Sequence, residues 1–435
     1  MKILKVIHGY PPLYSAGSEV YSQILCHELV RQGHEVTVFT RQEDGYKREY
    51  SIEWRNDPLC PEIRVCLINM AHSRDGYRHQ GVDRAFRSLL EEVAPDVVHI
   101  GHLNHLSTSL VEEASSSDIP ILFTLHDFWL MCPRGQFLQS TNSKGEELYP
   151  LCSSQRDEKC AKQCYWRYFS SQDDGEDIQF WTKWVHKRME HIRNDIVPKI
   201  DLCIAPSRYL MNRFTGASFV DPSNVVYLDY GFQRAHLTGR KRVGGAPFTF
   251  GYIGTHKEAK GIFHLIQAFE KLQPSDAHLA IWGAPVAPFT NSLRDYIANT
   301  DSGMQQHIHW MGAYTNGEIV REVFNRVDAI VVPSIWGENS PLVIHEALEA
   351  GVPIITANFG GMKEYVEHEV NGLLFEHRNY RDLAKQMRRM IGDASLRERI
   401  GKRGYLQSSD GRIPGIEEHT RQIVSHYTSV IGRNR

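Results

Sequence analysis

Short runs of apolar, often β-branched residues alternate along this chain with longer stretches whose apolar residues recur at helical spacing. This alternation is typical of a parallel β-sheet covered by helices. It occurs in two series, which predict seven strands followed by five. The predicted strands are Lys2–His8, His34–Thr40, Ile63–Asn69, Asp96–Gly101, Pro120–His126, Asp201–Ser207 and Asn224–Tyr230, then Phe248–Gly254, His278–Trp282, Ile308–Gly312, Ala329–Ser334 and Pro353–Ala357.

The intervening helical stretches and the chain length indicate two domains. Helices are predicted at Val20–Gln32, Gly261–Leu272, Gly317–Asn325 and Pro341–Glu349. The aperiodic polar stretch Arg234–Pro247 separates the two series, as an interdomain linker would. A chain of 435 residues is long enough for two domains. We therefore predict an α/β protein with Rossmann-like domains at residues 1–235 and 245–410, and a terminal helix within 411–435.

Composition and charge exclude several classes of protein. Net charge is −3, so the chain lacks the basic surface expected of a nucleic-acid-binding protein. The apolar run after Lys2 ends by His8, which is too short for a signal-peptide core or a membrane span. Eight cysteines are few for a disulfide scaffold of this length. These features predict a cytoplasmic protein.

A loop between the first strand and the first helix is the first candidate binding element. It begins at Gly9 and contains Gly17 close to the predicted helix. Glycine lets the backbone approach a ligand, and the N–H groups at a helix N-terminus attract phosphate oxygens. The loop matches neither the dinucleotide fingerprint nor the P-loop. An ordinary turn in which Ser18 caps the helix is the alternative.

Two glutamates follow the strand that ends at Ser334. Glu338 lies in a polar loop, Ser340 can cap the next helix, and Pro341 suits its first position. Glu346 falls about two turns into that helix on a mostly apolar segment, where an ionised carboxylate is costly unless a ligand binds it. Ribose hydroxyls would meet that need. The alternative is that both glutamates are solvated surface acids.

The spacing of Glu338 and Glu346 matches the Glu-x7-Glu motif of family 4 retaining glycosyltransferases. The chain resembles this family over nearly its whole length, most weakly from about residue 128 to 197. The resemblance implies the GT-B fold, in which two Rossmann-like domains face each other across a donor cleft and the last helix crosses back to the N-terminal domain. Further matching motifs are Pro11-Pro12 through Gly17, Thr124-Leu125-His126-Asp127, Gly251-Tyr252-Ile253-Gly254 through Lys260-Gly261, Gly351-Val352-Pro353-Ile354-Ile355, Gly360-Gly361 and Asn371-Gly372.

The same resemblance implies roles for individual residues. Glu346 would hold the donor ribose, and Glu338 with the backbone after it would hold the sugar ring. Lys260 would hold the diphosphate, and His126 would contact the transferred sugar, although a buried core histidine is the alternative for His126. The other implied donor-binding residues are Gly17, Gly254, Thr255, Lys257, Asn339, Ser340, Pro341, Leu342 and Val343.

This sequence departs from the family at one position of the donor site. Thr255 stands where the family usually has an arginine that contacts the diphosphate. Lys257 or Arg134 would then supply the second cation, and Lys257 is favoured because it lies on the same turn.

The implied activity is that of a retaining, hexosyltransferase-like enzyme that needs no cofactor for catalysis. Its partners would be a nucleotide-diphosphate sugar and a glycan, lipid-linked or small-molecule acceptor. A nucleotide-sugar epimerase of the same fold and a non-catalytic nucleotide-sugar binding subunit are the alternatives. A phosphorylase-like enzyme would instead require a lysine carrying pyridoxal phosphate.

The region from about residue 128 to 197 carries two further predictions. Four clustered cysteines predict a structural zinc site, with free thiols as the alternative: Cys132, Cys152, Cys160 and Cys164. Aromatic and basic residues then predict an amphipathic surface for a lipid-linked or glycan acceptor and peripheral contact with the inner membrane face, with a helix packed on its own domain as the alternative. These residues are Trp166, Arg167, Tyr168, Phe169, Phe180, Trp181, Lys183, Trp184, Lys187 and Arg188.

Overall fold

The structure is a computed structural model, and it divides into two compact units. Unit 1 comprises Met1–Phe232 and Pro414–Arg435, and unit 2 comprises Gln233–Ile413. The residues it describes are 1–72, 76–141, 146, 148–165, 175–242, 247–272, 277–300 and 303–433. Trp166, Arg167, Tyr168 and Phe169 of the predicted amphipathic surface lie outside them.

Unit 1 contains an eight-stranded sheet with the strand order β3-β4-β2-β1-β5-β6-β7-β8. All neighbouring pairs are parallel except β3 and β4. The seven predicted strands form, and β3 was missed because most of its side chains are exposed and carry no apolar run. The strands are β1 Lys2–Val6, β2 Glu35–Gln42, β3 Ile52–Asn56, β4 Arg64–Asn69, β5 Val97–Ile100, β6 Ile121–Thr124, β7 Leu202–Ala205 and β8 Val225–Tyr227.

Helices connect these parallel strands. The first begins at Gly17, three residues earlier than predicted, with Ala16 rather than Ser18 at the N-cap position. Ser18 lies inside the first turn and donates to the Glu19 carboxylate. Unit 1 has α1 Gly17–Arg31, α2 Gln80–Val93, α3 Leu110–Ser116, α4 Asp157–Cys160, α5 Gly175–His191 and α6 Arg208–Gly216, with π-helical turns at Ala161–Tyr165 and Ile192–Ile196.

Unit 2 contains a six-stranded, wholly parallel sheet with the order β11-β10-β9-β12-β13-β14. The five predicted strands form, and the three-residue β14 was missed. The strands are β9 Phe248–Ile253, β10 Ala277–Trp282, β11 Ile308–Gly312, β12 Ala329–Val332, β13 Ile354–Ala357 and β14 Leu373–Phe375. The helices are α7 Ile262–Glu270, α8 Phe289–Ala298, α9 Ile319–Glu322, α10 Leu342–Glu349, α11 Met362–Tyr365, α12 Tyr380–Gly392 and α13 Ala394–Arg403.

One helix prediction in unit 2 was too long. The stretch Gly317–Asn325 is a single α-helical turn, α9, between two 3₁₀ turns. Val323 leaves the helical region, with φ −122° and ψ −64°, and so ends α9. The periodic apolar residues of this stretch are still buried: Ile319, Val320, Val323 and Phe324.

The last helix, α14 Ile416–Arg433, belongs to unit 1 and packs on α1 and β6. Its Tyr427 hydroxyl lies 2.6 Å from Nδ1 of His99, and Nε2 of His99 lies 2.8 Å from the Thr124 hydroxyl. All three side chains are fully buried. Burial holds the pKa of His99 well below its usual value, so the imidazole is neutral and both of its nitrogens have partners. None of the described helices is long and apolar enough to cross a bilayer.

We expect Tyr427→Phe to destabilise unit 1. The ring is kept, but Nδ1 of His99 loses its partner in a fully buried position, which costs about 1–3 kcal/mol. A lower thermal unfolding midpoint than that of the unchanged protein is the expected result. Tyr46→Phe is the matched control because Tyr46 is fully exposed. Equal midpoints for both variants would show that the hydrogen bond contributes nothing to stability.

Candidate active site

A close backbone contact in unit 2 positions Lys260. The 3₁₀ turn Glu258–Lys260 follows β9 and ends at Gly261, whose φ is +69°. A Cβ atom on Gly261 would lie 1.9 Å from the carbonyl oxygen of Pro333, which follows β12. Only glycine permits both the left-handed backbone and this approach. The contact places Lys260 beside the loop that carries Glu338.

The Glu338 carboxylate gathers three donors. Its Oε1 accepts from Nζ of Lys260 at 2.7 Å, the hydroxyl of Ser334 at 2.6 Å and Nε1 of Trp336 at 2.9 Å. Glu338 is only 6% exposed, so these donors replace most of its contact with water. The predicted Lys260 and Glu338 therefore meet. Sequence reasoning missed Ser334 and Trp336 as partners, although both lie in the same loop.

The predicted glycine pair, Gly360 and Gly361, packs against the backbone of this loop. The N–H of Gly361 donates to the Glu338 carbonyl oxygen at 2.7 Å. A Cβ atom on Gly361 would lie 1.4 Å from the carbonyl oxygen of Asn339, and one on Gly360 would lie 2.7 Å from Cα of Gly337. The pair thus allows two backbone segments to touch.

The helix that follows begins one residue later than predicted. Pro341 is the N-cap, with an extended ψ of 116°, so α10 starts at Leu342 and Ser340 is not the cap. Asn339 and Ser340 are buried in the loop before it. The N–H groups of the first turn, including those of Leu342 and Val343, have no acceptor within an α-helix. They form a donor-rich end next to Glu338.

Glu346 is buried one turn further along α10. It is 5% exposed, and burial raises its pKa to about 7, although a hydrogen bond from Asn316 and the nearby His345 act in the opposite direction. Burial, and secondarily Glu346, also raises the pKa of the neighbouring Tyr314. The free protein therefore holds this carboxylate at a cost that hydroxyl donors from a ligand would reduce. Asn316 and Tyr314, on the loop after β11, were not predicted.

Two hydrogen bonds to backbone oxygens hold the turn that carries Thr255, the position at which this sequence departs from the family. The N–H of Gly254 donates to the Trp282 carbonyl oxygen at 3.1 Å, and the Tyr252 hydroxyl donates to the Thr255 carbonyl oxygen at 3.1 Å. Lys257 lies on this turn with an exposed side chain.

Arg134, the other candidate for the second cation, lies in unit 1. Its guanidinium hydrogen-bonds the Ser140 hydroxyl. The choice of Lys257 over Arg134 stays a prediction.

In unit 1, His126 lies two residues beyond the end of β6, whereas the predicted strand included it. Its Nδ1 is 2.6 Å from the Tyr230 hydroxyl, its ring stacks on Tyr230, and Tyr21 meets it edge-on with ring centroids 5.6 Å apart. Burial, reinforced by Lys5 and His102, holds the pKa of His126 well below its usual value. The imidazole is thus neutral at neutral pH and oriented by Tyr230.

Two further histidines were not predicted. His8 and His102 each lie two residues beyond their strands, β1 and β5, and their ring centroids are 4.4 Å apart. Nε2 of His8 lies 3.3 Å from Glu19, and Nε2 of His102 lies 3.3 Å from Asp127. The sequence could have predicted this pair, because both histidines lie at the ends of predicted strands and adjacent parallel strands end at one edge of a sheet.

Gly17, the remaining predicted residue of unit 1, is exposed at the first position of α1. The helix therefore presents its N-terminal N–H groups directly after the loop that follows β1, as the sequence indicated.

The zinc site predicted at the four cysteines stays a prediction. No group of three or more His, Cys, Asp or Glu side chains among the described residues is arranged to hold a metal ion. Cys160 and Cys164 pack in an apolar cluster with Val185, and burial raises the pKa of Cys160 to about 12. In the absence of a metal ion, the uncharged thiol is therefore favoured. Measured zinc content remains the direct test.

Part of the predicted amphipathic surface packs inward. Trp181 and Trp184 pack on the same cysteine cluster, whereas Phe180 is 57% exposed. Arg188 is not a surface residue, because it is 1% exposed, donates to the Trp129 carbonyl oxygen at 2.6 Å and covers the Trp129 ring. Lys183 and Lys187 are exposed. Much of α5 therefore serves as a packed helix of its own unit.

Among curated proteins, the first matches cover parts of the chain. An uncharacterized glycosyltransferase of Methanocaldococcus jannaschii is 30% identical over 152 residues, which are 34% of this chain and 37% of that protein. The matched stretch thus spans well under two thirds of the relative. Glycogen synthase of Mycobacterium tuberculosis is 22% identical over 424 residues, 92% of this chain and 88% of that protein.

Family models and solved structures cover the chain more fully. The model described as glycosyltransferase family 4 matches residues 15–231, and the model described as glycosyl transferases group 1 matches residues 239–407. Anabaena HepE, in complex with UDP and glucose, superposes with a TM-score of 0.70 at 18% identity over 99% of this chain and 100% of that chain. Sucrose-phosphate synthase of Thermosynechococcus elongatus gives 0.68 at 16% identity over 99% of each chain. This chain belongs to glycosyltransferase family 4 and has the GT-B fold.

Proposed function

We propose that this protein is a retaining, hexosyltransferase-like enzyme that moves a sugar from a nucleotide-diphosphate sugar to a hydroxyl group of a glycan, lipid-linked or small-molecule acceptor. The observation that carries the proposal is the ion pair of Lys260 and Glu338, with the buried Glu346 on the helix that follows. A cation and two carboxylates are thus offered to a ligand with a diphosphate and many hydroxyls. The binding of UDP and glucose by HepE supports this class of donor.

In this proposal Lys260 binds the diphosphate of the donor and Glu338 binds its sugar ring. In the free protein each compensates the charge of the other at 2.7 Å. A bound diphosphate would compete for the ammonium group, and the N–H groups at the start of α10 would add further donors. Glu338 would then accept hydrogen bonds from hydroxyls of the sugar ring.

Glu346 suits the ribose of the donor. A ribose offers hydroxyl donors, and the buried carboxylate lacks contact with water. Exchanging a poorly solvated carboxylate for one bound by hydroxyls favours the complex.

The reaction proposed needs no protein nucleophile. The bond between the anomeric carbon and the diphosphate oxygen breaks, and the acceptor oxygen bonds to the same face of that carbon. The acceptor's proton passes to the departing phosphate. Fixed donors that stabilise the departing charge are the main catalytic requirement, and Lys260 with the α10 N-terminus meets it. The neutral His126 suits a hydrogen bond to a sugar hydroxyl rather than proton donation.

The direct test supplies UDP-, GDP-, ADP- and TDP-sugars together with candidate acceptors. We expect one donor class to yield a glycoside whose anomeric configuration, read by proton NMR, equals that of the donor. An inverted product would contradict the retaining reaction. A new nucleotide sugar formed without acceptor would identify an epimerase, and donor binding without product from any acceptor would favour a binding subunit.

Glu338→Gln is expected to lower turnover more than donor binding. The amide keeps the shape but removes the charge that holds Lys260 and accepts from the sugar ring. A fall in kcat of about 100-fold is the scale of losing one transition-state contact. The donor Kd should change by only a few-fold. Glu367→Gln, an exposed glutamate of unit 2, is the control. Equal losses in kcat and in donor affinity would contradict the role.

Glu346→Gln is expected to weaken donor binding while stabilising the free protein. Loss of a charged acceptor should reduce donor affinity by about 1–3 kcal/mol. In the free protein, the pKa near 7 means that the unfolded chain ionises Glu346 at lower pH than the folded chain does. Folding stability contributed by this group therefore falls as pH rises from about 4.5 to about 7, and the glutamine variant lacks that loss.

Raising the pH from 4.5 to 8 should therefore increase the free energy of unfolding of the Glu346→Gln variant relative to that of the unchanged protein. The expected increase is on the order of 3 kcal/mol. Thermal unfolding without nucleotide at both pH values measures it, and titration with donor measures binding. Glu367→Gln again serves as the control. The same stability difference at both pH values would show that Glu346 does not carry a raised pKa.

A further inference from the structure

A cavity lies wholly within unit 1 and shares no residue with the site proposed above. Its volume is about 590 Å³. It is lined by residues of α5, the π-helical turn Ile192–Ile196 and α6, and by the loops at 131–137 and 153–157. Cavities of this size are typical of small-molecule sites.

Two arginines lie against aromatic rings in its lining. The guanidinium of Arg213 covers the ring of Phe137 at 4.6 Å, and that of Arg193 covers the ring of Phe219 at 5.1 Å. Both phenylalanines are buried, at 6% and 5% exposure. Stacking on a buried ring restricts the plane of a guanidinium and leaves its N–H groups at the edge available for ligand oxygens.

Arg213 also has unused donor capacity. One of its terminal nitrogens donates to the Ser153 carbonyl oxygen at 2.7 Å. Its Nε is buried and has no hydrogen-bond partner in the described part of the chain. A buried donor without an acceptor is costly, so an oxygen-bearing ligand that reached this guanidinium would lower the free energy of the site.

The two acidic residues of the lining share one histidine. His186 lies 2.9 Å from Asp157 and 3.3 Å from Glu190. Its hydrogen bond to Asp157, with the charge of Glu190, raises the pKa of His186 and so favours the imidazolium. When His186 is protonated, the lining carries three cations and two carboxylates, so the acidic side chains do not neutralise both arginines.

The rest of the lining suits a polar body attached to the anion. The amides of Asn194 and Asn212 can both donate and accept, as hydroxyl groups require. The side chains of Met131 and Met189 add apolar surface for the carbon skeleton of a ring.

We propose that this cavity binds an anionic sugar, with the phosphate or carboxylate on Arg193 and Arg213 and the hydroxyls on the two amides. The proposal goes beyond the transferase site, because it depends only on residues of unit 1 and requires no nucleotide. Phosphate and carboxylate share the charged oxygen edge that arginine recognises.

The test titrates the full chain with glucose 1-phosphate, with glucuronic acid and with glucose. Calorimetry is done in the presence of a saturating amount of whichever of UDP, GDP, ADP and TDP binds, which keeps the nucleotide site filled. We expect saturable binding of at least one anionic sugar, at least about tenfold tighter than binding of glucose. The variant Arg193→Gln with Arg213→Gln should weaken that binding by about tenfold or more. Arg208→Gln is the matched control, because Arg208 also lies on α6 and covers a ring, that of Tyr227, but does not line the cavity.

Each outcome bears on one proposal only. Failure of every anionic sugar to bind the unchanged protein, equal binding of glucose, or an equal loss in the Arg208→Gln variant would overturn the cavity proposal. Nucleotide binding, measured separately with UDP, GDP, ADP and TDP, should be the same in all variants, and failure of all four to bind would count against the transferase proposal alone. Should the double variant unfold, Arg193→Gln by itself tests the site, since Arg193 is exposed.

Discussion

Parallel pairing of strands directs the carboxyl end of each strand to one edge of its sheet, and the chemistry of both units depends on this constraint. In unit 1 it brings together His8, His102 and His126, which follow β1, β5 and β6. In unit 2 it brings the turn after β9 against the end of β12, so that Lys260 meets Glu338. Neither group of residues is continuous in the sequence. The hydrogen-bonded register of the strands makes them neighbours.

Close backbone contacts turn this shared edge into a defined site. Gly261 against Pro333, and Gly361 against Asn339, leave no space for a side chain. The loop that carries Glu338 is therefore held from two sides before any ligand arrives. Preorganisation of this kind matters for charge stabilisation, because donors that are already oriented need no rearrangement when charge develops on a leaving group.

The two carboxylates of the motif differ in how the protein solvates them. Glu338 is compensated by three donors on one oxygen, including an ammonium group. Glu346 has the hydrogen bond from Asn316, and burial raises its pKa to about 7. A compensated carboxylate next to a cation fits the reacting end of a donor, whereas a poorly solvated one gains from binding hydroxyls. Two residues of one type thus differ in their electrostatic state because their surroundings differ.

The sequence by itself determined the two strand series apart from β3 and β14, the carboxyl ends of β10, β11 and β13, the Glu-x7-Glu pair and the glycines next to it. These features depend on local periodicity, on steric limits of the backbone and on motif spacing. Through the family resemblance it predicted Lys260, Glu338, Glu346 and His126 as site residues without showing their partners. Only the tertiary structure brought Asn316 to Glu346, Tyr230 to His126, and Arg193 with Arg213 to one cavity. It also packed Cys160 and Cys164 in an apolar cluster with Val185, which their spacing did not indicate. The physical reason is that spacing along a chain fixes which residues share a strand or a helical face, whereas packing between distant segments decides which side chains touch and what charge each one carries.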